Sequence, residues 1–435
     1  MKRIFFIFFL VVWFGQNAMA QFNFDASKKA QEAIYLFRQQ KFEGLMLRMS
    51  PEMKRYLDVE KLQGFWDGLE MQMGAVKSVG ETKVKMRDTL AITQTIIQFE
   101  KQKIGFKLVY DKDAKICGMF LEAPTPKYTP AAYLDASNFY EIKRNLPDPK
   151  FPAEGIVTIP NKKQHLPVVI IVGGSGPTDK DLSIGPNRIY KDLAWGLANK
   201  GIVSYRYDKR TKAFGSAYIK NNTVTVKEEY LLDLMGALKV VKKIPEVDTN
   251  QIYILAHSEG GYLLPYFEKN LSNIAGYISF AGAYSNMADL LFMQLNYLQA
   301  NAPKSQKNQY NDFIAKSVYM RDKINVNSPE DSLPAGLSAK YILFLNQNSP
   351  KNIGANLMQK KILFLQGGRD YQVPPSEMEL WRTLLKENSQ AQFELFPNLN
   401  HLGLPGKGPS LPAEYEEADN VPAELIDKVV SFILK

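Results

Sequence analysis

A serine stands in the middle of a short segment, Ala256-His257-Ser258-Glu259-Gly260, that can supply a nucleophile. The residues before it read as a buried strand and those after it as a helix, which is the setting of a nucleophile elbow. Such a strained turn needs small residues two positions either side of the serine, and Ala256 and Gly260 fill those positions. We therefore predict that Ser258 is a nucleophile rather than a helix-capping serine.

A serine hydroxyl needs a base to take its proton and an acid to orient that base. Of the three histidines, only His401 follows Ser258 along the chain, and the base follows the nucleophile in enzymes built on this elbow. We predict that His401 is the general base and that His165 and His257 are surface or supporting residues. Asp370 lies in a glycine turn after an apolar strand, 31 residues before His401, and is the predicted acid.

The oxyanion that forms when a serine attacks a carbonyl needs two N–H donors that are already in place. The amide of Glu259, next to the nucleophile, is the first predicted donor. The second is expected from the glycine-rich loop 172–177, with the amide of Ser175 as first choice and that of Gly174 as second choice. This loop lacks the lysine and the spacing of a phosphate-binding P-loop.

The elements around these residues alternate between strand and helix. Apolar runs such as 167–172 indicate strands of a mostly parallel sheet with helices on both faces. Segments 139–144 and 153–159 are expected to open the sheet as an antiparallel pair. The alternation breaks at about 285–350, where apolar residues at helical spacing predict a helical cap ahead of the strand that leads to Asp370.

Residues 21–122 follow a different pattern. Apolar residues at helical spacing are followed by four strand-like segments separated by turn signals, which predicts a small α+β domain. It contains no histidine, so we expect a structural or substrate-shaping role. A proline-rich linker at 123–135 precedes the predicted catalytic domain at 136–435.

The first 20 residues read as a secretory signal. Lys2 and Arg3 precede an apolar run, and Ala18-Met19-Ala20 has the small residues of a cleavage site. The apolar run is too short to span a bilayer as a stable helix. We predict cleavage after Ala20 and a secreted or periplasmic mature protein, with an uncleaved membrane anchor as the alternative.

Composition restricts the other chemistries. Cys117 is the single cysteine among 435 residues, so neither an intramolecular disulfide nor a zinc site with two thiolates can form. The formal net charge is +9, but basic and acidic residues interleave along the chain, as is typical of a solvated surface. We expect no metal, no cofactor and no nucleic-acid partner.

Five motifs occur in a characteristic order: Gly174-Ser175-Gly176-Pro177 with Asp179 and Asp181, Tyr207-Asp208-Lys209-Arg210, His257-Ser258-Glu259-Gly260-Gly261, Gly368-Arg369-Asp370-Tyr371-Gln372-Val373, and Leu399-Asn400-His401-Leu402. Over about residues 135–435 the chain resembles exported α/β-hydrolases, namely serine-aminopeptidase-like and dienelactone-hydrolase-like carboxylesterases. The preceding domain resembles the small cystatin-like or nuclear-transport-factor-like domains of some members. Gly173, where such proteins often have histidine, and Ala256, where glycine is usual, depart from the pattern.

The resemblance implies an α/β-hydrolase fold and a serine hydrolase that cleaves carboxylic esters through an acyl-enzyme, using Ser258, Asp370 and His401. A serine peptidase on the same fold is the alternative, and an acidic pocket from Glu259 or the cap would favour it. A catalytically silent binding protein is a third hypothesis. The expected substrate is a small ester or a short peptide. For the motif 207–210 we predict structural ion pairs rather than substrate contacts.

Overall fold

A computed structural model of the protein describes residues 23–87, 89–122, 128–161, 164–219, 224–333, 338–354 and 358–435. Within these ranges the chain forms two compact units, one of residues 23–122 and one from residue 128 to the C-terminus. The predicted signal, residues 1–20, and residues 123–127 of the predicted linker lie outside the described residues.

The first unit places four helices before an antiparallel sheet, as the sequence predicts. Its elements are α1 (Ala26–Arg38), α2 (Phe42–Met46), α3 (Pro51–Tyr56), α4 (Val59–Met73), β1 (Val76–Arg87), β2 (Leu90–Phe99), β3 (Lys103–Tyr110) and β4 (Ile116–Glu122). Asp25, Ser50 and Asp58 cap three of the helices, because each side chain accepts a hydrogen bond from a first-turn amide. The strands pair in chain order, and Phe37 stacks on Trp66 in the core, with 5.2 Å between ring centroids.

The second unit is built on an eight-stranded sheet. Its strands are β5 (Phe139–Lys143), β6 (Gly155–Pro160), β7 (Leu166–Val172), β10 (Val203–Tyr207), β11 (Val247–His257), β12 (Gly276–Phe280), β13 (Lys361–Gly367) and β14 (Ala391–Phe396), with a separate short hairpin of β8 (Ser183–Ile184) and β9 (Asn187–Arg188). The order across the sheet is β5-β6-β10-β7-β11-β12-β13-β14. Strand β6 is antiparallel to both neighbours and every other pairing is parallel. This is the α/β-hydrolase fold, and the predicted antiparallel opening pair is confirmed.

Helices cover both faces of this sheet. They are α5 (Ile189–Asn199), α6 (Arg210–Phe214), α7 (Ser216–Ile219), α8 (Leu232–Val241), α9 (Glu259–Tyr262), α10 (Leu264–Asn270), α11 (Met287–Asn301), α12 (Asn311–Lys323), α13 (Ala339–Gln347), α14 (Pro350–Ile353), α15 (Pro375–Leu384) and α16 (Ala423–Leu434). Strand β7 shows why its sequence is apolar throughout: Val168 and Ile170 enter one core, while Val169 and Ile171 enter the core on the opposite face.

The helices α11 to α14 form an insertion between β12 and β13, where the sequence predicts a cap. Glu377 of α15 holds the start of this insertion, because its carboxylate accepts the backbone amides of Tyr284 and Ser285 at 2.9 and 2.7 Å. Further along, Gln294 of α11 donates to the carbonyl of Gln372 at 2.7 Å. The cap is therefore tied to the segment that follows Asp370.

Candidate active site

Ser258 occupies the turn between β11 and α9. Its backbone angles are φ 55° and ψ −119°, a conformation that non-glycine residues keep only where the surrounding structure enforces it. The amide of Ser258 donates to the carbonyl of Phe280 at 2.9 Å, so strand β12 holds the turn from one side. The side chain is half-buried at the end of the central strand, as a nucleophile elbow requires.

Close packing explains the small residues around the serine. A Cβ added to Gly260 would lie 2.7 Å from the carbonyl oxygen of Gly173 but 3.4 Å from the Cβ of Ala256. A methyl group therefore does not fit at position 260, and it would also press on the methyl group of Ala256. A Cβ at Gly173 would lie 2.5 Å from the Thr178 hydroxyl, so the departure from histidine at position 173 has a steric reason.

The variant Gly260→Ala is expected to slow the reaction of Ser258 with a fluorophosphonate about tenfold or more, because its methyl group displaces the loop at Gly173. The midpoint of thermal unfolding should also fall. Gly68→Ala on helix α4 is the matched control, since a Cβ there meets nothing within 4 Å. A Gly260→Ala variant that reacts as fast as the wild type would show that this close packing is unnecessary.

The structure brings Ser258, His401 and Asp370 together from distant parts of the sequence. The hydroxyl of Ser258 lies 3.1 Å from Nε2 of His401, and Nδ1 of His401 lies 2.8 Å from Oδ2 of Asp370. Because a carboxylate only accepts, Nδ1 carries the imidazole proton and Nε2 is free to accept the proton of the serine. The arrangement can therefore perform nucleophilic catalysis by serine.

Asp370 is held by four hydrogen bonds. Its Oδ1 accepts the backbone amides of Gln372 and Val373, both at 2.8 Å. Its Oδ2 accepts from Gln366 Nε2 at 3.1 Å as well as from His401. The turn that the sequence predicts around Asp370 therefore also fixes the rotation of its carboxylate. The sequence did not single out Gln366, which follows the predicted apolar strand 361–365 and stands four positions before Asp370.

The loop that carries His401 is fixed by its neighbour Asn400, another residue that the sequence analysis missed. The side-chain oxygen Oδ1 of Asn400 accepts the backbone amides of Leu402 and Leu404 at 3.0 and 3.1 Å. Its amide group donates to Glu414 at 2.8 Å. An asparagine beside a loop histidine is a common sign of such a turn, but its distant partner Glu414 has no local sequence signal.

His257 is a buried supporting residue and His165 is exposed, so neither replaces His401. Nε2 of His257 lies 3.0 Å from the carbonyl oxygen of His401, which can only accept, so this nitrogen carries the proton. Nδ1 then accepts from the Tyr190 hydroxyl at 3.1 Å. Burial, together with the charge of His401, lowers the pKa of His257 to about 3, and the neutral ring stays bonded to the base loop.

This low pKa predicts a loss of stability in acid. The unfolded chain binds a proton at His257 near pH 6.5 and the folded chain only near pH 3, so stability is complete above pH 6.5 and declines toward pH 3. The contribution should be on the order of a few kcal/mol. We expect a smaller drop in the midpoint of thermal unfolding between pH 7.5 and 5 for His257→Gln than for the wild type or the control His165→Gln. Equal drops in all three proteins would contradict this assignment.

The two amides that the sequence predicts as oxyanion donors lie on the segments beside Ser258. Within the part of the chain that the structure describes, the amides of Glu259 and Ser175 donate to no other group. The amide of Gly174, the second choice from sequence, donates to the Tyr190 hydroxyl at 3.2 Å and is already occupied. The geometry therefore favours Ser175 over Gly174.

The carboxyl group of Glu259 is buried and does not form an open acidic pocket. Its Oε1 accepts from the hydroxyl of Tyr341 at 2.7 Å and lies 2.8 Å from the hydroxyl of Tyr230, and Tyr341 belongs to helix α13 of the insertion. Burial raises the pKa of Glu259, against the opposing effect of the nearby charge of Lys209. The acidic pocket that would favour the alternative of a peptidase is therefore not formed by this side chain.

The motif 207–210 forms ion pairs, as predicted. Asp208 lies 3.7 Å from Lys180, Lys209 lies 3.3 Å from Glu229, and Arg210 pairs with a buried aspartate of helix α8. These charges are satisfied within the protein.

No group of three or more histidine, cysteine, aspartate or glutamate side chains in the described ranges could hold a metal ion. No helix among the same residues is long and apolar enough to span a membrane.

Comparison with known proteins gives matches in both units. Residues 234–373, which contain Ser258 and Asp370, match the family described as BAAT / Acyl-CoA thioester hydrolase C terminal. Residues 30–119 match DUF3887, a family of unknown function. Esterase EstD of Thermotoga maritima is 29% identical over 98% of this chain and 99% of its own length. The predicted resemblance to α/β-hydrolase enzymes is confirmed. The predicted enzyme class, a hydrolase, is supported by the same matches.

Solved structures also resemble the chain. Est1E from Butyrivibrio proteoclasticus is 14% identical with a TM-score of 0.44, covering 67% of this chain and 99% of that protein. A puromycin-hydrolyzing peptidase of Mycobacterium tuberculosis is 14% identical with a TM-score of 0.42, covering 80% of this chain and 46% of that protein. At this identity the likeness concerns the fold alone.

Proposed function

We propose that the protein is a serine esterase that hydrolyses carboxylic esters through an acyl-enzyme. Ser258 attacks the ester carbonyl while His401 takes the serine proton and passes it to the leaving alcohol. Asp370 keeps Nδ1 of the imidazole protonated and stabilises the imidazolium that forms. A water molecule, deprotonated by His401, then attacks the acyl carbon and releases the acid and free Ser258.

The tetrahedral intermediate of each step carries a negative oxygen. In the proposed mechanism the amides of Glu259 and Ser175 donate to this oxygen, and each such donor contributes about 3 to 4 kcal/mol of transition-state stabilisation. Both amides belong to segments that are rigidly held, Glu259 at the start of α9 and Ser175 in the loop after β7. No group has to reorient when the charge develops.

The observation that carries the proposal is the continuous hydrogen-bonded line from Ser258 through His401 to Asp370, at 3.1 and 2.8 Å. The serine is accessible while the base and the acid are buried. A binding protein has no need of a strained serine aligned in this way on an imidazole.

The similarity to Esterase EstD over nearly the whole chain favours esters as the substrates. The match to a family of acyl-CoA thioester hydrolases favours thioesters as a second candidate, because thioesters react through the same acyl-enzyme. A peptidase is less well supported, since Glu259 is enclosed by Tyr230 and Tyr341 rather than open to a substrate amine.

A panel of three substrate classes tests the proposal. We expect kcat/KM for p-nitrophenyl acyl esters to exceed that for acyl-CoA thioesters and for aminoacyl p-nitroanilides by about tenfold or more. Rates measured with Ser258→Ala serve as blanks. Faster thioester turnover would make the protein a thioesterase, and faster anilide turnover would make it a peptidase. A wild-type protein with no turnover and no fluorophosphonate labelling would refute the enzyme hypothesis.

We further propose that the protein is exported and loses residues 1–20. The support is the sequence pattern of Lys2, Arg3 and the segment Ala18-Met19-Ala20. The intact mass of the protein purified from its native host should correspond to a chain that begins at Gln21. A mass that includes residues 1–20 would support the uncleaved anchor instead.

A further inference from the structure

Lys209 is a buried lysine for which the proposed mechanism has no role. It follows strand β10 and its side chain is 3% exposed. Its ammonium group contacts the carbonyl oxygens of Gly174 and Gly176 at 2.5 and 3.1 Å and the carboxylate of Glu229 at 3.3 Å. It also lies 3.8 Å from the centroid of the Tyr230 ring. Each of the three ammonium protons therefore has an acceptor, and two of these acceptors belong to the loop 172–177.

That loop carries the proposed oxyanion donor. The carbonyl of Gly174 accepts from the Tyr230 hydroxyl at 2.7 Å as well as from Lys209. In a trans peptide the C=O and N–H groups are coplanar and point in opposite directions, and the described residues contain no cis peptide bond. Two side chains that hold the carbonyl of Gly174 therefore also set the direction of the Ser175 N–H, which belongs to the same peptide group.

This peptide group lies beside the nucleophile. A Cβ added to Gly174 would be 2.9 Å from the Cβ of Ser258. On the other side of Gly174, its own amide is held by the Tyr190 hydroxyl at 3.2 Å. The backbone is thus fixed before and after the Gly174 α-carbon, while the N–H of Ser175 donates to none of the described residues and can bind an oxyanion.

Lys209 is itself held in place by Glu229, which also contacts helix α13 of the insertion. Glu229, which pairs with Lys209, also accepts from the Thr211 hydroxyl at 3.0 Å, and its other carboxylate oxygen lies 2.9 Å from the Tyr341 hydroxyl. That hydroxyl lies closer to Glu259, at 2.7 Å, and its one proton bonds one of the two carboxyl groups at a time. The ammonium group therefore cannot leave the loop without breaking a buried network, and such networks keep their members in one arrangement.

We propose that Lys209 is a positioning residue that orients and polarises the Ser175 amide for the oxyanion. A positive charge beside the carbonyl oxygen of a peptide group draws electron density away from the N–H of the same group. That N–H becomes a stronger hydrogen-bond donor. The effect is larger in a buried site than in water, because the local dielectric constant is lower. The inference rests on the proposed function, since it requires Ser175 to donate to an oxyanion.

The test compares an ester with its thionoester, in which C=S replaces C=O and the developing anion is a weaker hydrogen-bond acceptor. Lys209→Met keeps the length of the side chain and removes the ammonium. We expect its kcat for the ester to fall about 10²-fold with KM within about twofold, and the thionoester rate to fall much less. An equal fall for both substrates, a change in KM alone, or an unchanged kcat would overturn the inference.

A second variant covers the case in which Lys209→Met does not fold. Tyr230→Phe keeps the ring beside Lys209 and removes the hydroxyl, which contacts the carbonyl of Gly174 at 2.7 Å and Oε1 of Glu259 at 2.8 Å. We expect kcat for the ester to fall about five- to tenfold and the thionoester rate to fall less. Lys428→Met is the control. Its ammonium group pairs with Glu394 of the edge strand β14 at 2.7 Å, and its kcat should stay within about twofold of the wild type.

The outcomes separate the two proposals. A wild-type protein that neither turns over esters nor reacts with a fluorophosphonate would refute the proposed function itself. An active wild type whose ester-to-thionoester ratio is unchanged in Lys209→Met and Tyr230→Phe would refute the inference about Lys209 and leave the proposed function intact.

Discussion

Ser258→Ala is expected to lower ester turnover about 10⁴- to 10⁶-fold. Alanine removes the hydroxyl that lies 3.1 Å from Nε2 of His401, so no acyl-enzyme can form. The residual rate would come from water attacking a substrate that the oxyanion donors still bind. The measurement is kcat for a p-nitrophenyl ester, combined with fluorophosphonate labelling followed by peptide mass analysis.

The fold should survive this substitution, because Ser258 holds its place through its backbone amide on Phe280 rather than through its side chain. We expect the midpoint of thermal unfolding to stay the same or to rise slightly, since a strained functional residue costs stability. Ser389→Ala, an exposed serine of the same unit, should be labelled like the wild type. Labelling that persists in Ser258→Ala would place the nucleophile elsewhere.

Asp370→Asn is expected to lower kcat about 10⁴-fold with little change in KM. Its side-chain oxygen should stay toward the amides of Gln372 and Val373, which both donate to Oδ1 at 2.8 Å. The new NH₂ group then faces Nδ1 of His401 and donates a hydrogen bond to it. Because Nδ1 must accept this bond, the proton of the neutral imidazole lies on Nε2. Nε2 can no longer accept the proton of Ser258.

The same substitution also sets the new NH₂ group against the side-chain amide of Gln366, which donates to Oδ2 in the wild type. A modest fall in the midpoint of thermal unfolding is therefore expected, far smaller than the effect on kcat. Asp427→Asn is the control, because this exposed aspartate pairs with Lys200 on the surface. A kcat for Asp370→Asn within tenfold of the wild type would show that another group orients His401.

The sequence was sufficient for the fold because its signals are local. Strand β7 is apolar at every position since both of its faces are buried, and the antiparallel meander after α4 is marked by its turns. The elbow is equally local: a strand, a serine between small residues and a helix lie within a few positions. Chain order then singled out His401 and Asp370 as candidates, because three histidines leave few choices.

The supporting contacts could not be predicted in the same way. The sequence left His257 as a surface or supporting residue, and its link to the backbone of His401 joins residues 144 positions apart. The sequence predicts the amide of Glu259 as an oxyanion donor and leaves open whether its carboxyl group forms an acidic pocket, but Tyr341, 82 positions away, bonds to this carboxyl group. Such partners depend on how helices pack on the sheet, and no short pattern encodes that packing.

Lys209 shows the difference most clearly. The motif 207–210 predicted an ion pair, and the pair with Glu229 is present at 3.3 Å. Its contact with the carbonyl of Gly174, 35 positions earlier, arises because β7 and β10 are neighbours in the sheet and end at the same edge. The sequence by itself determined which segments form strands, where the strained turn lies and which three residues are the candidate reacting groups. Local sterics and periodicity decide these features. Only the tertiary structure decided which carbonyls, amides and carboxyls surround those groups, because these distances are set by the register and packing of segments far apart in the chain.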